Sequence, residues 1–307
     1  MFYIFGFYKF KKLTRLLSFK KEFNSILKKK SARGSIIIST EGLNGIISGE
    51  KKDIFKIIHR IKTFYNFKNF DSQNSSMCPF QPFHKPKIKI KKEVVPIGIK
   101  LSKINKKKTY IEPNKWNSFL KKSDIKIIDA RKPFEFNMGT FKGAENPNID
   151  NFRDFPNYLK KINKKKSIAM FWTGGIRCEK DTNYLVKKGY KKVYQLKGGI
   201  INYLKNINIK SSLWSGECYV FDNRVSLKHK LKLGTYIICS GCRKPVSKDE
   251  KKSKKYQMGI SCPKCYDKLS SSQKERFAMR QKQILLAKKM GKNYLFKKEY
   301  YWGSIGK

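Results

Sequence analysis

The segment from Ile168 to Lys188 constrains this chain more tightly than any other. Apolar residues from Ile168 to Trp172 lead into Thr173, Gly174 and Gly175, and a stretch with helical periodicity then runs from Ile176 to Lys188. A buried strand that feeds a glycine turn at a helix N-terminus is an anion-holding arrangement, because the free amides and the helix dipole both favour negative charge there. The glycines let backbone N–H groups turn inward, and Arg177 can pin the loop or a phosphate. A cysteine at the head of such a loop has a lowered pKa and is a strong nucleophile. Trp172 supplies neither a thiol nor an anion. Glycine turns between a strand and a helix also serve as plain chain reversals, so the loop alone leaves catalysis and architecture both open.

The same alternation extends to either side. "IKIIDA", "GAENPN", "SIAMFW" and "KVYQL" read as strands, with helices over Asn151 to Ile162 and Ile176 to Lys188 and with Gly189 as the residue that ends the second. Residues 110–205 are thus predicted to form a parallel α/β domain covered on both faces. Residues 1–95 read differently. "FYIFGFYKF" is strand-like, Leu13 to Lys29 is helical, "SIIISTEGLNGIISG" holds two strands around a turn, Asp53 to Phe64 is helical, and "KPKIKIKKEVV" alternates as a half-buried strand. The order βαββαβ predicts a ferredoxin-like α+β domain. Residues 211–290 are loop-rich and cysteine-bearing, and end in a polar amphipathic helix from Ser270 to Met290 capped by serines. Residues 291–307 form a basic, aromatic tail expected to be mobile.

Lysines interrupt every apolar run, so no stretch approaches the roughly 18 uncharged apolar residues that span a bilayer. The opening "MFYIFGFYKF" lacks a basic leader and a cleavage site, and is read as a strand and not as a signal peptide. The expected location is cytoplasmic, with no membrane association. A net charge of +49 draws the protein to polyanions, although the basic residues are spread along the whole chain. Only ten of the 71 basic side chains are Arg, a lysine bias that an AT-rich genome also produces.

Seven cysteines are an odd count for a disulfide scaffold. Cys239, Cys242, Cys262 and Cys265 give C-x2-C-x19-C-x2-C, the spacing of a structural zinc site whose four thiolates leave no open position. Free thiols or a redox pair are the alternative. Cys78 and Cys218 stand alone and are read as structural. Cys178, in the first turn after the glycines, reads first as a small core residue and second as a substitute nucleophile. Asp129 and Arg131 end a strand, with Glu135 one helical turn beyond, and the cluster is read first as ion pairs that orient loops, then as substrate contacts. His59, His84 and His229 fall in no catalytic pattern. Phe80, Phe83 and His84, set among Pro and Lys, suit either stacking on unpaired bases or a packed linker.

Taken in order, "EGLNGIISG", "IIDARKPFEFNMGTFKGAENPN", "FRDFP", "TGGIRCEK", "VYQLKGGI", "SLWSGECYVFDNRV" and "CPKCYDKLS" resemble the rhodanese-domain family that hydroxylates the wobble uridine of tRNA. The resemblance spans Phe2 to Met290. It implies an N-terminal α+β domain, a rhodanese-like α/β domain and a cysteine-bearing C-terminal segment. The activity implied is oxygen-dependent formation of 5-hydroxyuridine at position 34, with molecular oxygen as co-substrate and the anticodon arm of tRNA as partner. The family loop reads C-T-G-G-I-R-C-E-K. Thr173, Gly174, Gly175, Ile176, Arg177, Cys178, Glu179 and Lys180 match it, and Trp172 stands where the catalytic cysteine is expected. Two readings follow: a tRNA uridine hydroxylase, or a tRNA-binding rhodanese-like protein that has lost its loop cysteine and its chemistry. A sulfurtransferase, which needs sulfur at the loop head, fits least.

Overall fold

The computed structural model describes residues 1–98, 109–122, 124–149 and 151–291; the tail expected beyond residue 291 lies outside the described residues. The chain divides into one compact unit of Met1–Tyr219 with Leu227–Lys232, and a second of Val220–Ser226 with the chain from Leu233 onward.

The first unit opens with β1 (Phe2–Phe10), α1 (Leu16–Lys29), β2 (Arg33–Ser39), β3 (Gly42–Gly49), α2 (Lys51–Tyr65), β4 (Ser72–Cys78) and β5 (Pro86–Ile90). The sheet order is β4-β1-β3-β2-β5, antiparallel except for β5, which runs parallel to β2. Phe19, Phe23 and Leu27 recur along one face of α1, as Ile54, Ile57, Ile58 and Ile61 do along α2. Both stripes pack on Phe5, Phe7, Ile36, Ile38, Leu43 and Ile47 of the sheet. The ferredoxin-like arrangement is present, but the strand that completes it is not the expected one. "SQNSSMC" forms β4, and the alternating lysine segment is an added edge strand. The reason is exposure: β4 buries only Cys78 fully, so no apolar period marks it, whereas the Lys-rich alternation of β5 suits a sheet edge.

The unit continues with β6 (Tyr110–Ile111), α3 (Pro113–Leu120), β7 (Ile125–Asp129), α4 (Pro133–Met138), β8 (Gly139–Phe141), α5 (Phe155–Lys160), β9 (Ser167–Phe171), α6 (Ile176–Lys187), β10 (Val193–Leu196) and α7 (Gly199–Asn206). The strands β6-β10-β9-β7 form a parallel sheet. Along β9 the side chains alternate between its two faces. Ala169 and Phe171 pack with Trp116, Phe141 and Tyr203, while Ile168 and Met170 pack with Phe155, Leu159 and Leu185. Gly189 follows α6 at φ +86°, as expected of its helix-ending role.

Two readings are corrected here. "GAENPN" is no strand: it makes one bridge, between Glu145 and Ile128, because Pro147 has no N–H to continue a ladder. The helix expected over residues 151–162 is a 3-10 turn, Phe152–Asp154, followed by α5, whose start Pro156 fixes. β11 (Trp214–Gly216) pairs antiparallel with β8, and the short strands β12 (Cys218–Tyr219) and β13 (Ser226–Leu227) follow.

The second unit contains the hairpin of β14 (Ile237–Ile238) and β15 (Pro245–Val246), and the helix α8 (Ser271–Lys289). Ser270 caps α8 as expected: its Oγ accepts the Gln273 N–H at 3.2 Å, and Gln273 Oε1 accepts the Ser270 N–H at 3.0 Å. The amphipathic reading of this helix is corrected by its packing, since Ile284 alone is buried among its residues. Phe277, Met279, Ile284, Leu285 and Leu286 are spread around the helix and line no single face.

Candidate functional site

Strands β7 and β9 end side by side, Asp129 opposite Phe171, so the loop Trp172–Gly175 leaves the carboxyl edge of the sheet where ligands of parallel sheets collect. The first turn of α7 fixes the loop from behind. The Ile200 N–H donates to the Trp172 carbonyl at 2.9 Å, and the Ile201 N–H to the Thr173 carbonyl at 3.1 Å. A helix begins with amides that have no intrahelical acceptor, and those of α6 start at this turn. Gly175 caps α6 at φ +88°. A Cβ at Gly174 would meet nothing within 4 Å, so the turn is open there.

The close approach behind the loop depends on Gly199. A Cβ there would stand 2.4 Å from the Trp172 carbonyl oxygen and 2.7 Å from that of Thr173, at a φ of +68°. Gly199→Ala is therefore expected to destabilise the protein by about 2–5 kcal/mol, combining left-handed strain with overpacking. The shift of the denaturant midpoint measures it, and an unchanged midpoint would show that the loop carries no such constraint.

Trp172 is half-buried. Its ring lies 4.3 Å from the Arg177 guanidinium and packs against Tyr8, Val94, Val95 and Ile176. No hydrogen-bond acceptor meets its buried Nε1. The indole thus lies against a cation and two apolar clusters, one of them the core that holds Ile168 and Met170, while the space beside Gly174 stays clear. Burial lowers the pKa of Arg177, against the pull of Glu135 and Asp181. Burial raises the pKa of Glu135 beyond what Arg131 and Arg177 offset, and one of its oxygens has no partner. The Thr173 side chain lies against Cys218, whose thiol burial pushes up to about 12 despite the nearby Arg131.

Thr173, Gly174, Gly175, Ile176 and Arg177 are brought together with Trp172 at the turn. Cys178 is not. It is buried in the core with Phe155, Ile168, Met170 and Leu185, and burial, reinforced by Asp181 and Glu179, raises its pKa well above that of an ordinary thiol. Asp129 and Arg131 are both fully buried. Arg131 Nε and one terminal nitrogen donate to the two carboxylate oxygens at 2.9 and 2.6 Å, and Thr140 Oγ1 donates to the same carboxylate at 2.8 Å. That closed arrangement orients the strand end, in keeping with the ion-pair reading. Cys218 is not legible in the sequence as a neighbour of the turn, because it comes from a separate segment; Glu135, already a candidate beside Asp129 and Arg131, lies within electrostatic reach of Arg177. Phe80 is buried against Ile4 and Cys78, so it offers no stacking face; Phe83 is half-buried and His84 exposed.

In the second unit the sulfur atoms of Cys239, Cys242, Cys262 and Cys265 all lie within 4.8 Å of one another and can hold a metal ion. Separations of 3.8, 3.7 and 3.8 Å join Cys239 to Cys265, Cys242 to Cys262 and Cys262 to Cys265. A tetrahedron of sulfurs around zinc at about 2.3 Å has edges of about 3.8 Å, whereas a disulfide needs about 2.05 Å. Backbone amides of Gly241 and Cys242 point at the Cys239 sulfur, that of Lys244 at Cys242, and that of Lys264 at Cys262. Such donors hold thiolates, and the residues present fit a tetrahedral cation. Arg280 of α8 donates to the Ser240 and Gly259 carbonyls at 3.2 and 3.1 Å, tying the helix to the cysteine turns.

Fold and turn together define a rhodanese-like protein with an acylphosphatase-like N-terminal domain. Residues 2–94 match the family described as UPF0176 acylphosphatase like domain, and residues 112–206 match the Rhodanese-like domain. The chain is 60% identical over 300 residues to the tRNA uridine(34) hydroxylase of Pelagibacter ubique (strain HTCC1062), covering 98% of this chain and 100% of that protein. It is 39% identical over 292 residues to the protein of the same name from Teredinibacter turnerae (strain ATCC 39867 / T7901), covering 94% of this chain and 91% of that one. A crystal structure of a rhodanese-like domain protein from Staphylococcus aureus covers 31% of this chain and 90% of its own at 25% identity, with a TM-score of 0.27. The chain belongs to the tRNA uridine(34) hydroxylase family.

Proposed function

We propose that this protein acts on tRNA in the cytoplasm, hydroxylating uridine 34 of the anticodon arm to 5-hydroxyuridine with molecular oxygen as co-substrate. The observation that carries the reading is identity along nearly the whole length to a protein named for that activity. The turn Trp172–Gly175, open at Gly174 and backed by Arg177, is the reacting site in this reading. Among the described residues no helix is long and apolar enough to cross a membrane. Trp172 occupies the position of the family's loop cysteine, and this residue favours the second reading, a tRNA-binding protein without chemistry.

Mass spectrometry of tRNA nucleosides from cells with and without the gene separates the two. Loss of 5-hydroxyuridine on deletion supports the enzyme; an unchanged nucleoside profile supports the binding protein. We further propose that the four-cysteine cluster holds zinc in a structural role. Four thiolates complete its coordination and leave no position for substrate.

With a net charge of +49, binding to tRNA is expected to weaken by roughly a thousandfold or more between about 50 and 200 mM salt. At moderate salt tRNA should still be preferred over an unrelated RNA duplex, because charge supplies affinity and a shaped site reads the loop. Equal affinities in a filter-binding titration would reduce the interaction to its lysines.

A further inference from the structure

We propose that the start of α6 is a positioning device that ties the reactive turn to the N-terminal sheet, with Lys180 and Glu179 as its positioning residues. The inference rests on the reading of the turn as the reacting site. Its origin is an anomaly of burial: Glu179, Lys180, Asp181 and Thr182 are four consecutive polar residues, each 1% exposed or less. A helix with such a sequence ordinarily turns polar side chains to water. Here they face protein on every side.

Lys180 has all three of its ammonium protons matched. Glu41 Oε1 lies at 2.8 Å, Glu93 Oε2 at 2.7 Å and the Val95 carbonyl at 2.8 Å. Each carboxylate is itself held. Glu41 accepts the Val94 N–H at 2.7 Å, and Glu93 accepts the N–H groups of Ile97 and Gly98. On the neighbouring position, Glu179 Oε1 accepts the Tyr8 hydroxyl at 3.0 Å and also the Tyr110 hydroxyl. Four separate stretches therefore converge on two adjacent helix residues: β1 through Tyr8, the β2–β3 turn through Glu41, the segment after β5 through Glu93 and Val95, and β6 through Tyr110.

Apolar contacts alone would hold these surfaces together while letting them slide. Charged hydrogen bonds with fixed partners define one register. A helix is stiff along its axis, and Gly175 lies only a turn from Glu179, so movement of the tie moves the amides of the reactive turn. A displacement of about 1 Å at a reacting site can cost on the order of a hundredfold in rate.

The test uses the full chain carrying Trp172→Cys, in which the loop thiol reports directly on the cradle. Its apparent pKa is read from the pH dependence of iodoacetamide labelling at that peptide, beside tRNA hydroxylation and thermal unfolding. Lys180→Met is expected to raise the thiol pKa by at least one unit, a tenfold loss of thiolate, and to lower hydroxylation about a hundredfold. Tyr8→Phe alters no charge, so a shift of the same sign there reports geometry and not Coulomb attraction. It also serves if Lys180→Met fails to fold. Folded variants whose thiol pKa and hydroxylation both match the parent overturn the proposal. A thiol pKa that follows Lys180 and Tyr8 in a protein that never hydroxylates tRNA upholds the positioning role and overturns the assigned reaction instead.

Discussion

If the reaction depends on a thiol at the head of the loop, the protein with Trp172 is expected to hydroxylate tRNA feebly or not at all, and Trp172→Cys is expected to raise the rate on the order of a thousandfold or more. The magnitude follows from what removal of a nucleophile costs an otherwise intact site. Geometry favours recovery. The loop carbonyls are held by Ile200 and Ile201, the glycines keep their backbone, and the space beside Gly174 is clear. The indole lies on Arg177 and against Tyr8, Val94 and Val95, so its removal leaves a hollow at that cluster and spares the turn. Some stability is expected to be lost, below the about 3–5 kcal/mol of a fully buried Trp→Ala, because Trp172 is only half-buried.

Cys178→Ala in the restored protein should change the rate little, since that thiol is enclosed in the core and held protonated by burial. Liquid chromatography with mass detection of 5-hydroxyuridine decides among the outcomes. Strong activity in the protein with Trp172, abolished by Cys178→Ala, would show that the second cysteine has taken the role. Strong activity that survives both cysteines' absence would show that no loop thiol is required.

The second large effect concerns the metal. One zinc per chain is expected, held so tightly that a strong chelator unfolds the cysteine-bearing unit. Structural zinc sites contribute apparent binding free energies of about 10–16 kcal/mol at neutral pH, and here that energy is available only to the folded arrangement. Cys262 is fully buried and its sulfur is within 3.8 Å of two others, so Cys262→Ser should abolish stoichiometric binding and lower the unfolding temperature of that unit. The parallel-sheet domain should unfold as before. Metal analysis of the purified chain, paired with calorimetry of the variant, reads both. A metal-free protein whose Cys262→Ser variant unfolds at the parent's temperature would falsify the assignment.

Sequence patterns were informative wherever a physical constraint acts over a few neighbouring residues. The run from Ile168, the glycine pair and the helix of Ile176 show up because strand burial, turn geometry and helix periodicity are local. The cysteine spacing is legible for the same reason, as each C-x2-C turn presents two sulfurs by itself. Where constraints join distant segments, the patterns fell silent. β4 buries too little to show a period, and the lysine alternation of β5 fits an added edge strand as well as a fourth strand, so only sheet pairing told them apart. The contact of Cys218 with Thr173, and the meeting of Tyr8, Glu41 and Glu93 around α6, leave no local pattern in the sequence.

By itself, then, the sequence determined the βα alternation of the central domain, the turn that could cradle an anion and the four sulfurs that could hold a metal, since each follows from residue types at short spacing. Tertiary structure alone decided that Cys178 is sealed in the core, that the indole of Trp172 rests on Arg177 beside an open turn, and that Lys180 is buried among acceptors from elsewhere in the chain. Burial and charge pairing are properties of what surrounds a side chain, and in each of these cases the surroundings come from residues far away in sequence.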